Sequence, residues 1–136
     1  DTTPIISLMK IEQLYLLEKM FGYIVIPKAV YDELTVNEKF AKEILKIKEA
    51  EFVKVGEVKN DSSVNILRNV TGLDAGESEA IVMAGEKEAD LLLMDEHKGR
   101  QVAKKLGIKI TGTIGILLQA FDEGMMSKED VKNFQT

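Results

Sequence analysis

A continuous apolar run at residues 91–94 stops at two adjacent acidic residues, Asp95 and Glu96. The run does not alternate with polar residues, which is typical of a strand buried on both faces of a parallel sheet. Ligands of open α/β sheets usually bind in the crevice beyond the carboxyl ends of such strands. The pattern therefore predicts two carboxylates where a site is expected.

Helical periodicities alternate with short apolar segments along the rest of the chain. Helices are predicted over residues 5–9, 11–21, 28–34, 37–49, 64–70, 74–88, 96–106, 115–123 and 127–134, and strands over residues 23–26, 52–58, 89–94 and 108–110. Residues 60–63 are predicted to form a polar, mobile loop. A further strand is expected before residue 1, because residues 1–4 resemble the end of an element. The alternation favours a single α/β domain over residues 1–136. The expected architecture is a three-layer α/β/α sandwich with a short central parallel sheet of about four to five strands.

Composition narrows the class of protein. The 136 residues are 45% hydrophobic and 30% charged, as in a globular chain, and they include no cysteine. A disulfide framework and a thiolate metal site are therefore excluded. No apolar run is long enough for a spanning helix and no signal peptide is visible, so we expect a cytoplasmic protein. With 18 basic and 23 acidic residues the net charge is −5. Nucleic-acid binding by bulk charge is therefore disfavoured, and such a function would need a local basic patch or metal ions.

Acidic residues occur at four places that the predicted topology brings to the strand ends. They are Asp1, Glu33, Glu77 and the Asp95–Glu96 pair. Clustered carboxylates disfavour each other's ionisation, and a cation relieves that cost. Mg²⁺ and Mn²⁺ prefer oxygen ligands, and in phosphodiester cleavage they activate water and stabilise the leaving oxygen.

Each acid also has a purely structural interpretation. Asp74 and Glu77 form a D-x-x-E capping pattern, so Glu77 could simply cap a helix. Glu33 could be a solvated helix residue, and Asp1 a turn residue. Asp95 and Glu96 could be the N-cap and first-turn acid of the next helix.

Five segments together resemble the PIN domain family, specifically a prokaryotic branch related to toxin–antitoxin ribonucleases. They are D-T-T-P-I-I-S-L from Asp1, V-I-P-K-A-V-Y-D-E-L ending at Leu34, L-D-A-G-E-S-E-A-I from Leu73, L-L-L-M-D-E-H-K-G-R from Leu91 and I-T-G-T-I-G-I-L-L from Ile110. They follow the family's order and cover nearly the whole chain.

The resemblance implies a Rossmann-like fold and a Mg²⁺- or Mn²⁺-dependent nuclease, most simply a ribonuclease that cleaves single-stranded RNA with metal-activated water. It implies catalytic and metal-binding roles for Asp1, Glu33, Glu77 and Asp95, with Glu96 as an additional metal ligand. Thr3 and Thr113 would be supporting hydroxyls. The chain has Glu rather than Asp at position 77, and this longer side chain would change how the metal sits. The resemblance also implies a possible antitoxin-like protein partner and homodimer. The helices at residues 11–21 and 37–49 have apolar faces for self-association.

The basic residues after the acidic pair are candidates for phosphate contacts. Lys98 and Arg100 lie nearest the predicted site. Lys104 and Lys105 fit a solvated helix face equally well. His97, the single histidine, is more simply an exposed residue than an acid or base. The five candidate acids together carry a charge of −5, equal to the net charge, so the rest of the chain is neutral.

Two other functions compete with the nuclease. A non-catalytic PIN-like module that binds nucleic acid or acts as a scaffold fits the acidic net charge. A phosphoacceptor receiver domain shares the clustered acids, but it gives Glu33 and Glu77 no role, and its acid pair belongs after the first strand.

Overall fold

The computed structural model describes residue 8 and residues 13–125, where helices alternate with short strands. The helices in this part of the chain are α1 (Tyr15–Phe21), α2 (Lys28–Val36), α3 (Ala41–Glu49), α4 (Asp61–Thr71), α5 (Ala75–Glu86), α6 (His97–Lys105) and α7 (Thr113–Asp122). The strands are β1 (Ile24–Pro27), β2 (Val53–Gly56), β3 (Leu92–Leu93) and β4 (Ile110–Thr111). The predicted helix at residues 127–134, and all of that at residues 5–9 except Leu8, lie outside the described residues.

The strands form two parallel pairs. Ile24 of β1 lies opposite Val53 of β2, and Leu92 of β3 lies opposite Ile110 of β4. The second ladder continues past β3, since the Met94 N–H donates to the Thr111 carbonyl at 2.9 Å. Parallel strands connected through helices are the hallmark of an α/β fold. Among the described residues the hydrogen-bonded strands remain two separate pairs. The single sheet of about four to five strands and the three-layer arrangement therefore stay predictions.

Two groups of buried apolar side chains pack the helices against the strands. The first joins α1, β1, α2, α3 and α7, and includes Leu17, Ile26 and Leu34. The second joins α5, β3 and α6 around Met94, which is 0% exposed. The Met94 sulfur occupies the space that a side chain at position 99 would take. Burial of a methionine contributes roughly 1.5–3 kcal/mol, so this contact fixes the end of β3 against the first turn of α6.

The predicted loop at residues 60–63 is wrong, because the chain is already helical there. Helix α4 starts at Asp61, and the Asn60 side chain accepts a hydrogen bond from the Ser63 N–H at 3.1 Å. The segment before it is held as well, since the Glu86 carboxylate accepts from the N–H groups of Lys59 and Asn60. Asn is a strong N-cap residue, and here it starts a helix where a run of polar residues suggested a loop.

The helices predicted for self-association bury part of their apolar surface inside the chain, whereas Tyr15 of α1 and Leu45 of α3 are exposed. Leu17 of α1 and Ile44 and Ile47 of α3 belong to the first buried group. The homodimer therefore stays a prediction. Within the described residues, no helix combines the length and the apolar character needed to cross a membrane.

Candidate functional site

Asp95 lies where the chain leaves β3, and its carboxylate is fixed by Thr113. The Thr113 N–H donates to Asp95 Oδ1 at 2.7 Å, and the Thr113 hydroxyl donates to Oδ2 at 2.6 Å. Helix α7 has no cap of its own, because its N-cap residue is Gly112. Asp95 thus caps a helix that begins 18 residues later, and a carboxylate is electrostatically favoured at such a helix start.

Gly112 and Arg100 complete the surroundings of Asp95. A Cβ at position 112 would collide with Asp95 Oδ1 and lie 3.0 Å from Arg100 Nη1. Arg100 Nη1 also donates to the Met94 carbonyl oxygen at 2.9 Å. The guanidinium therefore lies at the end of β3, near the Asp95 carboxylate. This is where the structure places the side chain predicted to contact phosphate.

Glu96 caps a different helix from its neighbour. Its carboxylate accepts hydrogen bonds from the N–H groups of Lys98, at 3.0 Å, and Gly99, at 2.7 Å, in the first turn of α6. These backbone N–H groups, that of Gly99 first and that of Lys98 next, hold the pKa of Glu96 below its usual value. The capping interpretation of the acidic pair is thus half right, since Glu96 caps the following helix and Asp95 caps α7.

Glu77 is buried and contacts Glu96. It forms a capping box with Asp74: the Glu77 N–H donates to Asp74 Oδ1 at 2.8 Å, and the Asp74 N–H donates to Glu77 Oε1 at 3.2 Å. Glu77 is only 8% exposed. Burial, and next the hydrogen bond between its side chain and that of Glu96, raise the pKa of Glu77 to about 7. These opposite pKa directions fit a protonated Glu77 that donates to an ionised Glu96.

Glu33 approaches the start of α5 from helix α2. Its Oε2 lies 3.6 Å from the position that a Cβ on Gly76 would take, and Asp74 Oδ1 lies 3.7 Å from the same position. Two carboxylates from different helices therefore face the first turn of α5. Both distances are ordinary van der Waals contacts, and the tighter neighbour of this position is Val30 Cγ2, at 3.3 Å.

The remaining predicted residues lie around these carboxylates or outside the described chain. Lys98 Nζ lies 3.0 Å from the position that a Cβ on Gly72 would take, at the carboxyl end of α4. His97 is an exposed residue at the start of α6. Asp1 and Thr3 lie outside the described residues. Their predicted roles as ligand and supporting hydroxyl stay predictions.

The structure thus brings predicted site residues together in two places. Glu77 contacts Glu96, and Asp95 lies with Thr113 and near Arg100, while Glu33 lies beside the first turn of α5. Among residues 13–125, no group of three or more histidine, aspartate or glutamate side chains is arranged to hold a metal ion. The described carboxylates are therefore held mainly by helix starts and by one another.

Two residues in these surroundings were missed by sequence reasoning. Glu79 accepts a hydrogen bond from the Ala29 N–H at 3.2 Å and so joins α5 to α2. Gly112 makes room for Asp95 and Arg100. Glu79 and Ala29 are 50 residues apart, so no local sequence pattern indicates their contact. For Gly112, the only sign in the sequence was its position between two threonines just before a helix.

Comparison with known proteins identifies the family. A family model described as PIN domain matches residues 1–134. No curated protein and no solved structure matches the chain. Because the family model covers nearly all of the 136 residues, this chain belongs to the PIN domain family.

Proposed function

We propose that this chain is a divalent-metal-dependent nuclease that hydrolyses phosphodiester bonds, with single-stranded RNA as its substrate. Membership of the PIN domain family suggests a nuclease-type module that interacts with nucleic acid. The observation that carries the proposal is the contact between the buried Glu77 side chain and that of Glu96, where burial raises the pKa of Glu77 to about 7. Such an arrangement is costly without a cation and gains stability when one binds.

The donor set has the chemistry of a site for Mg²⁺ or Mn²⁺. PIN domains are generally dependent on divalent metals, and hard cations of this kind prefer carboxylate oxygens. Asp1, Glu33, Glu77, Asp95 and Glu96 are the residues that would hold the ion. When bound, the ion would supply activation of water and stabilisation of the leaving oxygen.

The chain's own residues would orient the carboxylates and the substrate. Thr113 fixes both oxygens of Asp95 with its N–H and hydroxyl. Arg100 lies beside Asp95, and its positive charge would attract a phosphate that approaches the carboxylates. Lys98 of α6, whose Nζ lies near the carboxyl end of α4, would contact a phosphate further along the RNA. Thr3 would support the site from the N-terminal segment.

The proposal is tested by following the cleavage of single-stranded RNA with purified protein and Mn²⁺. We expect cleavage that needs the metal and that is lost in Asp95→Asn. Because Asp95 also caps α7, the melting temperature of this variant must be measured alongside. Glu86→Gln is the control, since Glu86 binds backbone N–H groups of Lys59 and Asn60 rather than residues of the site. Cleavage without metal, or unchanged cleavage by Asp95→Asn, would argue against the nuclease.

A non-catalytic PIN-like module that binds nucleic acid or acts as a scaffold is the second candidate. It is favoured by the structural use of the carboxylates, since Asp95 and Glu96 each accept two hydrogen bonds at helix starts. Calorimetric titration with Mn²⁺ distinguishes the two functions. A scaffold would give the same weak heat in the wild type and in Asp95→Asn, whereas a metal site would lose affinity in the variant.

The biological setting that we propose follows the family resemblance. A cytoplasmic ribonuclease of this kind would be controlled by an antitoxin-like protein, and the chain could form a homodimer. We also propose that the two strand pairs belong to one central parallel sheet between helical layers, in a single domain. Co-purification with the product of a neighbouring gene, together with the molar mass in solution, tests the partner and the dimer.

A further inference from the structure

Helix α2 begins without a cap from its own sequence. Its N-cap residue is Pro27, which makes no side-chain hydrogen bond to the helix, and its first turn contains no acidic residue. The first N–H groups of any helix lack partners inside the helix, and a nearby Ser, Thr, Asp or Asn usually accepts from one of them. The N–H groups at the start of α2 therefore have no acceptor from the helix's own capping residue.

Glu79 of helix α5 provides such an acceptor. Its Oε1 accepts a hydrogen bond from the Ala29 N–H at 3.2 Å, in a partly buried contact. The negative charge at the start of α2 also interacts favourably with the dipole of that helix. Glu79 therefore replaces the missing cap and joins two helices that are far apart in sequence.

A second contact joins the same two helices, at Val30 and Glu33 of α2 and at Gly76, three residues before Glu79 in α5. The position that a Cβ on Gly76 would take is 3.3 Å from Val30 Cγ2 and 3.6 Å from Glu33 Oε2. Together with the Glu79–Ala29 hydrogen bond, this close approach leaves little freedom for α2 to slide or turn against α5. Glu33 lies on α2 one turn after Ala29, while Asp74 and Glu77 lie at the start of α5.

We propose that Glu79 is a positioning residue for the candidate metal site. By anchoring the start of α2, it sets where the Glu33 carboxylate lies relative to Asp74 and Glu77. The proposal rests on the proposed function, because Glu33 and Glu77 are ligands only if the chain binds a metal ion. Glu79 itself acts through Glu33 and not as a ligand.

Two substitutions of Glu79 separate its hydrogen bond to the Ala29 N–H from its negative charge. Glu79→Met keeps the length of the side chain and removes the acceptor, whereas Glu79→Gln keeps an oxygen that can accept from the Ala29 N–H. Glu86→Met is the matched control. Glu86 also lies on α5 and accepts from two backbone N–H groups, at 2.8 and 3.0 Å, but those groups belong to Lys59 and Asn60 before α4.

The first readout is hydrogen exchange in the metal-free protein. We expect faster exchange of the Ala29 amide and its neighbours in the first turn of α2 in Glu79→Met, and nearly wild-type exchange there in Glu79→Gln and Glu86→Met. The second readout is the dissociation constant for Mn²⁺ from calorimetry. We expect it to rise about tenfold in Glu79→Met, as is typical when a partner of a metal ligand is lost. Glu79→Gln should restore most of the affinity.

A double-mutant cycle tests whether the effect passes through Glu33. In a Glu33→Gln background, Glu79→Met should cause no further loss of Mn²⁺ affinity. An equal loss in Glu79→Met and Glu86→Met, a loss that persists without Glu33, or unchanged exchange in α2 would overturn the proposal. A wild-type protein that binds no Mn²⁺ would contradict the proposed function instead, and hydrogen exchange would then decide whether Glu79 anchors α2.

Discussion

The contact between Glu77 and Glu96 joins two carboxyl groups whose surroundings differ. Glu96 is exposed and accepts hydrogen bonds from two backbone N–H groups, which favour its ionised form. Glu77 is buried, and burial raises its pKa to about 7. These opposite pKa directions fit a proton shared by the pair, and a divalent cation bound at the same oxygens would displace that proton.

The pKa of Glu77 predicts how the stability of the metal-free protein depends on pH. Because the folded-state pKa, about 7, is above the ordinary value of 4.5, the folded state binds more protons than the unfolded state between these pH values. The stability that this group contributes is complete below pH 4.5 and is lost as the pH rises toward about 7. Glu77→Gln stays neutral, so we expect it to be more stable than the wild type at pH 8, by on the order of 1–3 kcal/mol.

Urea unfolding of both proteins in EDTA, at several pH values from 4 to 8, checks this prediction. The difference in the free energy of unfolding should grow with pH and level off above about pH 7. A variant that is less stable than the wild type at pH 8, or a difference that does not change with pH, would contradict it.

The close packing of Asp95 against Gly112 predicts that a side chain at position 112 would displace the Asp95 carboxylate. In Gly112→Ala the new methyl group would displace the Asp95 carboxylate from Thr113, so we expect a loss of stability of roughly 1–3 kcal/mol. Gly85→Ala is the control, because no atom lies within 4 Å of a Cβ at that position in α5. That change should stabilise the helix by up to about 1 kcal/mol. Thermal unfolding measures both, and equal behaviour of the two variants would refute the steric explanation.

At the level of elements, carboxylates start four of the described helices. Asp74 caps α5, Glu96 caps α6, Asp95 caps α7 and Glu79 caps α2. The first two caps are local, so the sequence can reveal them, and the D-x-x-E pattern at Asp74 did so. The other two join residues 18 and 50 positions apart. Helix starts show where a carboxylate is needed, but residue patterns do not show which distant acid supplies it.

The Asp95–Thr113 contact predicts that Thr113 stabilises helix α7. Thr113→Val keeps the shape of the side chain and removes the hydroxyl that donates to Asp95 Oδ2 at 2.6 Å. Thr113 is only 4% exposed, so a buried hydrogen bond to a carboxylate would be lost, and we expect a loss of roughly 1–3 kcal/mol. Thr113→Ser should keep the hydrogen bond and lose less. Chemical unfolding compares the two, and the same loss in both variants would assign the effect to packing.

At the level of the whole molecule, hydrophobic patterning was enough to predict an α/β fold. The strand at the acidic pair and the helix over α5 were expected from burial and periodicity. The size of the sheet was not determined, because β3 and β4 contain only two residues each and their pairing joins distant segments. The loop expected at residues 60–63 became the start of α4, where the cap by Asn60 outweighed the polar composition. Periodicity reports which face of an element is buried, but it does not identify the partner that buries it.

The net negative charge is also a property of the whole molecule. The net charge of −5 equals the formal charge of the five candidate acids, and a divalent ion bound there would offset part of it. We expect Mn²⁺ to raise the melting temperature of the wild type, since at a hundredfold excess over its dissociation constant a ligand stabilises by about 2.7 kcal/mol. Glu77→Gln should show a much smaller shift. Equal shifts in the two proteins would place the bound ion elsewhere.

Cleavage of an end-labelled single-stranded RNA by the wild type and by Glu77→Gln, with Mn²⁺ and with EDTA, tests the central claim most directly. Glu77→Gln is the best variant for this purpose, because its metal-free fold is expected to be more stable than the wild type above pH 7, so lost activity cannot be attributed to unfolding. We predict metal-dependent cleavage by the wild type and a rate at least about 100-fold lower in the variant, since even the partners of metal ligands contribute 10–100-fold. No cleavage by the wild type with Mn²⁺, or equal cleavage by both proteins, would contradict the claim that these carboxylates form the active site of a nuclease.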